Sequence, residues 1–200
     1  MQSKFLIRRM TKDDIPGVRE LQTKLFPLTY SDATYEKYIS NKYLSIVLEK
    51  ITGDLTEIVG VSTSLRIWVS KWSNKTEAYI STFGIDDRFR RMGLGTELMR
   101  VTARINIDHF QAGHVLLHIM KDNVSGFEFY KNRGFIAQKL IPNYYKIAEK
   151  NYDSIFMALH EFKEPENPPT VTVEVSDELK QEMKTVDVVP CFLPYFYASP

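Results

Sequence analysis

The residues that first point to chemistry are Arg90-Arg91-Met92-Gly93-Leu94-Gly95-Thr96. Glycine at 93 and again at 95 lets the backbone approach a ligand with no Cβ in the way. From Gly95 onward Leu98, Met99, Val101 and Ile105 recur at helical spacing. The loop therefore opens a helix and shares its unpaired N–H groups and the positive end of its dipole. The two arginines add charge and donors for an anion, and a pyrophosphate suits such a loop. It is not a Walker A motif, because no Gly-Lys-Ser/Thr follows. Nor is it a dinucleotide fingerprint, because no third glycine stands at the required offset and no βαβ run opens the chain. A glycine-punctuated helix start with solvated arginines would carry the same letters, and the loop alone does not decide between the two.

The surrounding elements have to hold that loop. Phe5 to Arg9 reads as a short strand, and Thr11 with Asp14 three positions on starts a helix to about Leu25. Phe26-Pro27-Leu28 forces an extended or turning backbone. Ser31-Asp32 caps a second helix with Tyr35, Tyr38 and Ile39 on one side. Tyr43 to Glu49 and Glu57 to Arg66 form a hairpin across Thr52-Gly53-Asp54. After a polar loop, Lys71 to Thr76, a strand from about Ala78 to Ile85 leads into the glycine loop, whose helix runs to about His109. His114 to Met120 is a strand, Val124 to Asn132 a helix ended by Gly134, and Phe135 to Leu140 and Ile155 to His160 are strands. The class is mixed α/β, with a central sheet flanked by helices.

Length and composition bound the rest. The 200 residues, 44% of them hydrophobic, suffice for one buried core. Residues 1–162 are read as one domain and residues 163–200 as a Pro-, Glu- and Asn-rich linker followed by an apolar tail, Val188 to Tyr197. Lys and Arg number 26 against 25 Asp and Glu, a net charge of +1, which leaves no general basic field for a nucleic acid. The one cysteine, Cys191, excludes an intramolecular disulfide and argues against a cysteine-held zinc site. A reducing, cytoplasmic setting is expected, with neither a signal peptide nor a membrane-spanning run. The tail contains Pro190 and Pro194, so it forms no long regular helix. It either packs on its own domain or docks an auxiliary subunit or a membrane surface.

Arg90-x-x-Gly93-x-Gly95 after a strand resembles the acetyl-CoA motif of the GNAT superfamily. Leu117-His118-Ile119, Asn123 and Phe129-Tyr130-Lys131-Asn132-Arg133-Gly134-Phe135 resemble its second cofactor segment. Phe26-Pro27-Leu28-Thr29-Tyr30, Ala78-Tyr79-Ile80, Leu117-His118 and Asn143-Tyr144-Tyr145, in that order, narrow the likeness to protein N-terminal acetyltransferases of the NatE and NatF type. The resemblance covers roughly residues 4 to 162. It implies a GNAT fold with a C-terminal extension, acetyl-CoA as co-substrate, no metal, and protein N-terminal peptides as the acetyl acceptors.

What the resemblance implies for residues is specific. Phe83, Gly84 and Ile85 would offer backbone hydrogen bonds to the pantetheine arm. Arg90, Arg91, Met92, Gly93, Leu94, Gly95 and Thr96 would wrap the pyrophosphate. Asn123 and Tyr130 would lie near the thioester, with the Tyr130 hydroxyl on the departing thiolate. Tyr79 and His118 stand at the family's base positions. An imidazole near pKa ~6.5 accepts a proton at neutral pH, whereas a phenol near ~10 more readily orders a water. Phe26, Pro27, Leu28 and Tyr30 on one loop, and Tyr144 and Tyr145 on another, would clamp the peptide's first residues. Ser81 stands where the family more often carries a larger apolar residue in that pocket.

Taken singly, His118 also reads as a core histidine, Tyr130 as a packed helix residue and the two clamps as surface turn aromatics. Two other functions share the cofactor half of the chain. One is a GNAT enzyme acting on lysine side chains or small amines, which would need an open or acidic amine site. The other is a CoA-binding module without turnover, against which Tyr79, His118 and Tyr130 argue.

Overall fold

The computed structural model describes residues 3–28, 30–69, 75–166 and 170–184. Its frame is an eight-stranded sheet in the order β6-β7-β5-β4-β3-β2-β1-β8. The strands are β1 Lys4–Arg9, β2 Tyr43–Thr52, β3 Leu55–Trp68, β4 Thr76–Ile85, β5 Ala112–Met120, β6 Ile136–Ile147, β7 Lys150–Leu159 and β8 Val173–Val175. The β-branched runs of β2 and β3 pair antiparallel, turning at Gly53 with φ 61°. Helices α1 Ile15–Leu25 and α2 Asp32–Tyr38 cover one face, where Val18, Leu21, Tyr35 and Tyr38 pack with Val47 and Val61. Helices α3 Leu94–Arg104 and α5 Asp177–Lys184 cover the other, where Leu94, Leu98 and Leu179 pack with Ile46, Leu48 and Val59. α4 Val124–Asn132 closes a further apolar cluster, its Phe127 and Phe129 lying against Met99, Val115, Leu117 and Met157. The alternation along each central strand thus feeds two cores, one on each side.

Two features of the sheet shape the site. β4 and β5 are parallel neighbours paired at Thr76–Ala112, Ala78–Val115 and Tyr79–Leu116. The ladder stops there, although both strands continue. Beyond Tyr79 they diverge, and the sheet splits. β4 also carries a bulge: Thr63 faces Thr82 while Ser64 faces Ile80, so Ser81 is the extra residue. The bulge resets the alternation. Ala78 and Ile80 before it, and Phe83 and Ile85 after it, face the α3 side, while Thr82 meets Gln22 of α1 and Gly84 lies against Leu25.

The structure corrects several expectations. The helix after the glycine loop is α-helical only to Arg104. It then widens into a π turn over Ile105–His109, in which Phe110 N–H reaches Ile105 O at 3.0 Å. Tyr144 and Tyr145 belong not to a loop but to β6, which runs on to Ile147 before the hairpin turn. Their register with β7 shifts between Ile141 and Tyr145, and Asn143 takes φ 54° with its N–H 3.2 Å from Asp153 Oδ1. The stretch read as linker and tail returns to the domain, since β8 pairs parallel with β1 and Leu179 is fully buried. The apolar run Val188 to Tyr197, with Cys191, and most of the loop from Lys71 lie outside the described residues.

Candidate active site

Tyr79 on β4 and His118 on β5 stand on the same face where the two strands part, one from each lip of the split. Leu117 and Ile119 bury on the α3 side, so strand alternation turns His118 to the α1 side. There the Tyr79 hydroxyl lies 3.1 Å from His118 Nδ1. The Tyr144 hydroxyl lies close enough to act on it electrostatically. The Tyr144 ring stacks on the imidazole, 4.2 Å between centroids and 7° from parallel, and Phe156 lies beside it at 4.9 Å.

Electrostatics follow from this packing. Burial, then the Tyr144 hydroxyl, pushes the Tyr79 phenol far above its ordinary range, so it remains protonated throughout the physiological range. Burial lowers His118 below its ordinary value, which keeps the imidazole neutral and able to accept a proton at pH 7. Burial also raises Tyr130, with a further contribution from the Tyr145 hydroxyl. Tyr145 itself is pushed up to about 12 by burial and by Tyr144. The Tyr30 hydroxyl acts on both Tyr79 and Tyr145. Tyr30, Tyr79, Tyr144 and Tyr145, far apart in sequence, therefore share one neighbourhood, and Tyr130 borders it.

The segment after α1 forms the opposing wall. Phe26 ends α1 with extended dihedrals, φ −123° and ψ 140°, as a residue before proline should. Its ring meets Tyr30 edge-on at 6.5 Å, and Tyr30 is propped by Tyr35 and Tyr38. Pro27 is exposed and Leu28 is 38% exposed; Thr29 lies outside the described residues. Ser81, the bulge residue, is exposed.

The other end of the split leads to the glycine loop. Phe83 stacks on Phe129 of α4 at 5.7 Å and meets Tyr130 at 6.1 Å. An added Cβ on Gly84 would lie 2.6 Å from Leu25 Cδ1, so this glycine lets α1 approach the strand. Ile85 packs with Leu94 and Leu98 of α3. Gly93 is the N-cap of α3 with φ 85°, and Arg91 before it has φ 65°. Gly93 thus answers to backbone conformation. At Gly95 neither conformation nor packing calls for glycine, since a Cβ there would sit 3.5 Å from Ile85 and 3.7 Å from Phe129, in ordinary contact. Arg90 is paired with Asp87 at 2.5 Å; both it and Arg91 are exposed, and Met92 and Thr96 are half-buried beside them.

Asn123 has a structural task on this wall: it caps α4, its Oδ1 accepting the Gly126 N–H at 3.0 Å. Sequence reasoning missed the packing of Phe129 and Phe156 and the buried chain Gln22–Thr82–Thr63 beneath β4, at 3.1 and 2.8 Å. The signal for that chain was a threonine at each inward position of paired strands. Among the described residues, no group of His, Cys, Asp and Glu is arranged to hold a metal ion.

Similarities to known proteins bear on this geometry. The chain is 27% identical over 203 residues to N-alpha-acetyltransferase 60 of Xenopus tropicalis, covering 94% of this chain and 81% of that protein. It is 26% identical over 153 residues to N-alpha-acetyltransferase 50 of Danio rerio, covering 74% and 84%. Its fold matches that of Arabidopsis thaliana NAA60, solved in complex with a bisubstrate analogue, with a TM-score of 0.71 over 80% of this chain and all of that one at 18% identity. The model of the acetyltransferase (GNAT) family matches residues 15–135, from α1 through the split sheet to the end of α4, and the chain belongs to that family.

Proposed function

We propose that this protein transfers an acetyl group from acetyl-CoA to the free α-amino group of protein N-termini. The observation that carries the reading is the Tyr79–His118 pair at the point where β4 and β5 part, with the glycine loop at the other end of the same opening. The residues fit the co-substrate. The edge of β4 from Ile80 to Ile85 has no ladder partner on the β5 side and can accept an extended amide arm. Gly93 and Gly95 let a pyrophosphate approach the start of α3. The relatives, N-alpha-acetyltransferases 60 and 50, agree by name with an α-amine as acceptor.

The chemistry asked of the protein is modest. The amine nitrogen must be neutral when it attacks the thioester carbon, and the carbon–sulfur bond then breaks. His118, neutral at pH 7, takes up the proton through water, and Tyr79, which keeps its own proton, orders that water. The Tyr130 hydroxyl, held protonated by burial, donates to the departing sulfur. An α-amine near pKa ~8 is partly neutral at physiological pH, while a lysine near ~10.4 is almost wholly charged, so a weak base suffices for the first.

Tyr30, Tyr144 and Tyr145 offer hydroxyls to the peptide backbone, and Phe26, Pro27 and Leu28 offer an apolar wall for the first side chain. Burying a Met or Leu there contributes about 1.5–3 kcal/mol, or roughly ten- to a hundred-fold over a small or charged residue. Peptides retaining an initiator Met are the expected substrates. The test is mass spectrometry of a Met-starting peptide that also contains an internal lysine, incubated with protein and acetyl-CoA. Acetylation at the α-nitrogen, lost when that nitrogen is blocked, is expected. Equal modification of the lysine in the blocked peptide would overturn the assignment in favour of lysine or small-amine acetylation.

A further inference from the structure

The segment after β7 touches the cofactor half of the fold at several points. Lys163 N–H donates to Arg133 O at the end of α4, at 3.1 Å, and Glu164 pairs with Arg104 at the end of α3, at 3.0 Å. Further along, the Thr170 hydroxyl donates to Met92 O in the glycine loop, at 3.3 Å. Val171 and Val173 then pack on the same apolar cluster as Met92, and β8 joins β1. Thr170 is itself exposed, but Val171 and Val173 directly after it are anchored on the core, which holds its hydroxyl beside the loop.

The contact falls where the loop needs it. Arg91 is a non-glycine residue at φ 65°, a conformation that persists only where the surroundings over-determine it. In a trans peptide the C=O and the following N–H point in opposite directions. Fixing the Met92 carbonyl toward Thr170 therefore turns the Gly93 N–H to the other side of the loop. We propose that Thr170 is a positioning residue for the glycine loop: by holding the Met92 carbonyl it aims the Gly93 N–H at the pyrophosphate of acetyl-CoA. The C-terminal strap is then part of the co-substrate site without touching the co-substrate. This rests on the acetyl-CoA reading above.

The test compares wild type, Thr170→Val, which keeps the shape and removes the hydroxyl, and Thr170→Ser, which restores it. Acetyl-CoA affinity is measured by calorimetry, and KM for acetyl-CoA and for peptide by steady-state kinetics. Losing one aimed donor should weaken acetyl-CoA binding in Thr170→Val roughly three- to ten-fold, with the same rise in its KM. Peptide KM and the melting temperature without ligand should stay unchanged, and Thr170→Ser should bind as wild type does. Wild-type affinity in Thr170→Val, or a Thr170→Ser variant as weak as Thr170→Val, would overturn the inference while leaving the cofactor reading intact. A wild type that binds no acetyl-CoA would overturn that reading and the inference with it.

Discussion

His118 and Tyr79 show how one environment sets two protonation states in opposite senses. Burial disfavours charge, so it lowers the imidazole and raises the phenol, and both are neutral at pH 7. The sign of the pH dependence follows. As pH rises, His118 loses its proton below its ordinary value of ~6.5 and becomes able to accept one, and the substrate amine is freed near ~8. Both changes favour transfer. Ionisation of Tyr79 and Tyr130, pushed upward, would act the other way but lies beyond ~10. kcat/KM for a peptide substrate is therefore expected to climb from pH 6 to about 8.5 and to hold level toward 10. A falling limb between pH 8 and 9.5, in protein shown by circular dichroism to remain folded, would contradict these assignments.

At the scale of elements, strands and helices set by local pattern were legible: the hairpin of β2 and β3, the helix after the glycine loop, and α4 ended by Gly134. The Tyr144–Tyr145 segment was not. A proline and an asparagine stand in front of it, which reads locally as a loop. What makes it strand is distant, namely pairing of Tyr145 with Tyr152 and the Asp153 carboxylate on the Asn143 N–H. The same elements give a sharp stability prediction. Gly134 turns α4 into β6 with φ 99°, and a Cβ there would stand 2.7 Å from the backbone oxygen of Glu161. Gly134→Ala meets both dihedral strain and an unyielding backbone atom, so a loss of about 1–3 kcal/mol is expected. At about 2–4 °C per kcal/mol for a chain of this size, calorimetry should show a fall of several degrees. An unchanged melting temperature would mean that this turn relaxes freely.

For the whole molecule, the order of elements and the place of the glycine loop were legible, because hydrophobic period and glycine placement report on local structure. The split between β4 and β5 was not, since both strands look continuous in sequence and only their pairing ends. The return of residues 173–184 to the sheet was likewise hidden behind a Pro-rich approach, although the Val171, Val173, Val175 alternation was its trace. Together the split, the loop and the strap bring α1, β4, β5, α4, β6 and the C-terminal segment to bear on one opening. The central claim is that acetyl transfer occurs there, with His118 and Tyr79 managing the amine's proton. The most direct measurement is the single-turnover rate of acetyl transfer to a Met-starting peptide in wild type, His118→Ala and Tyr79→Phe, beside acetyl-CoA affinity for each. The account predicts a rate at least about 10²-fold lower in both variants with acetyl-CoA affinity preserved; wild-type rates in either would remove that residue from the mechanism and contradict the claim.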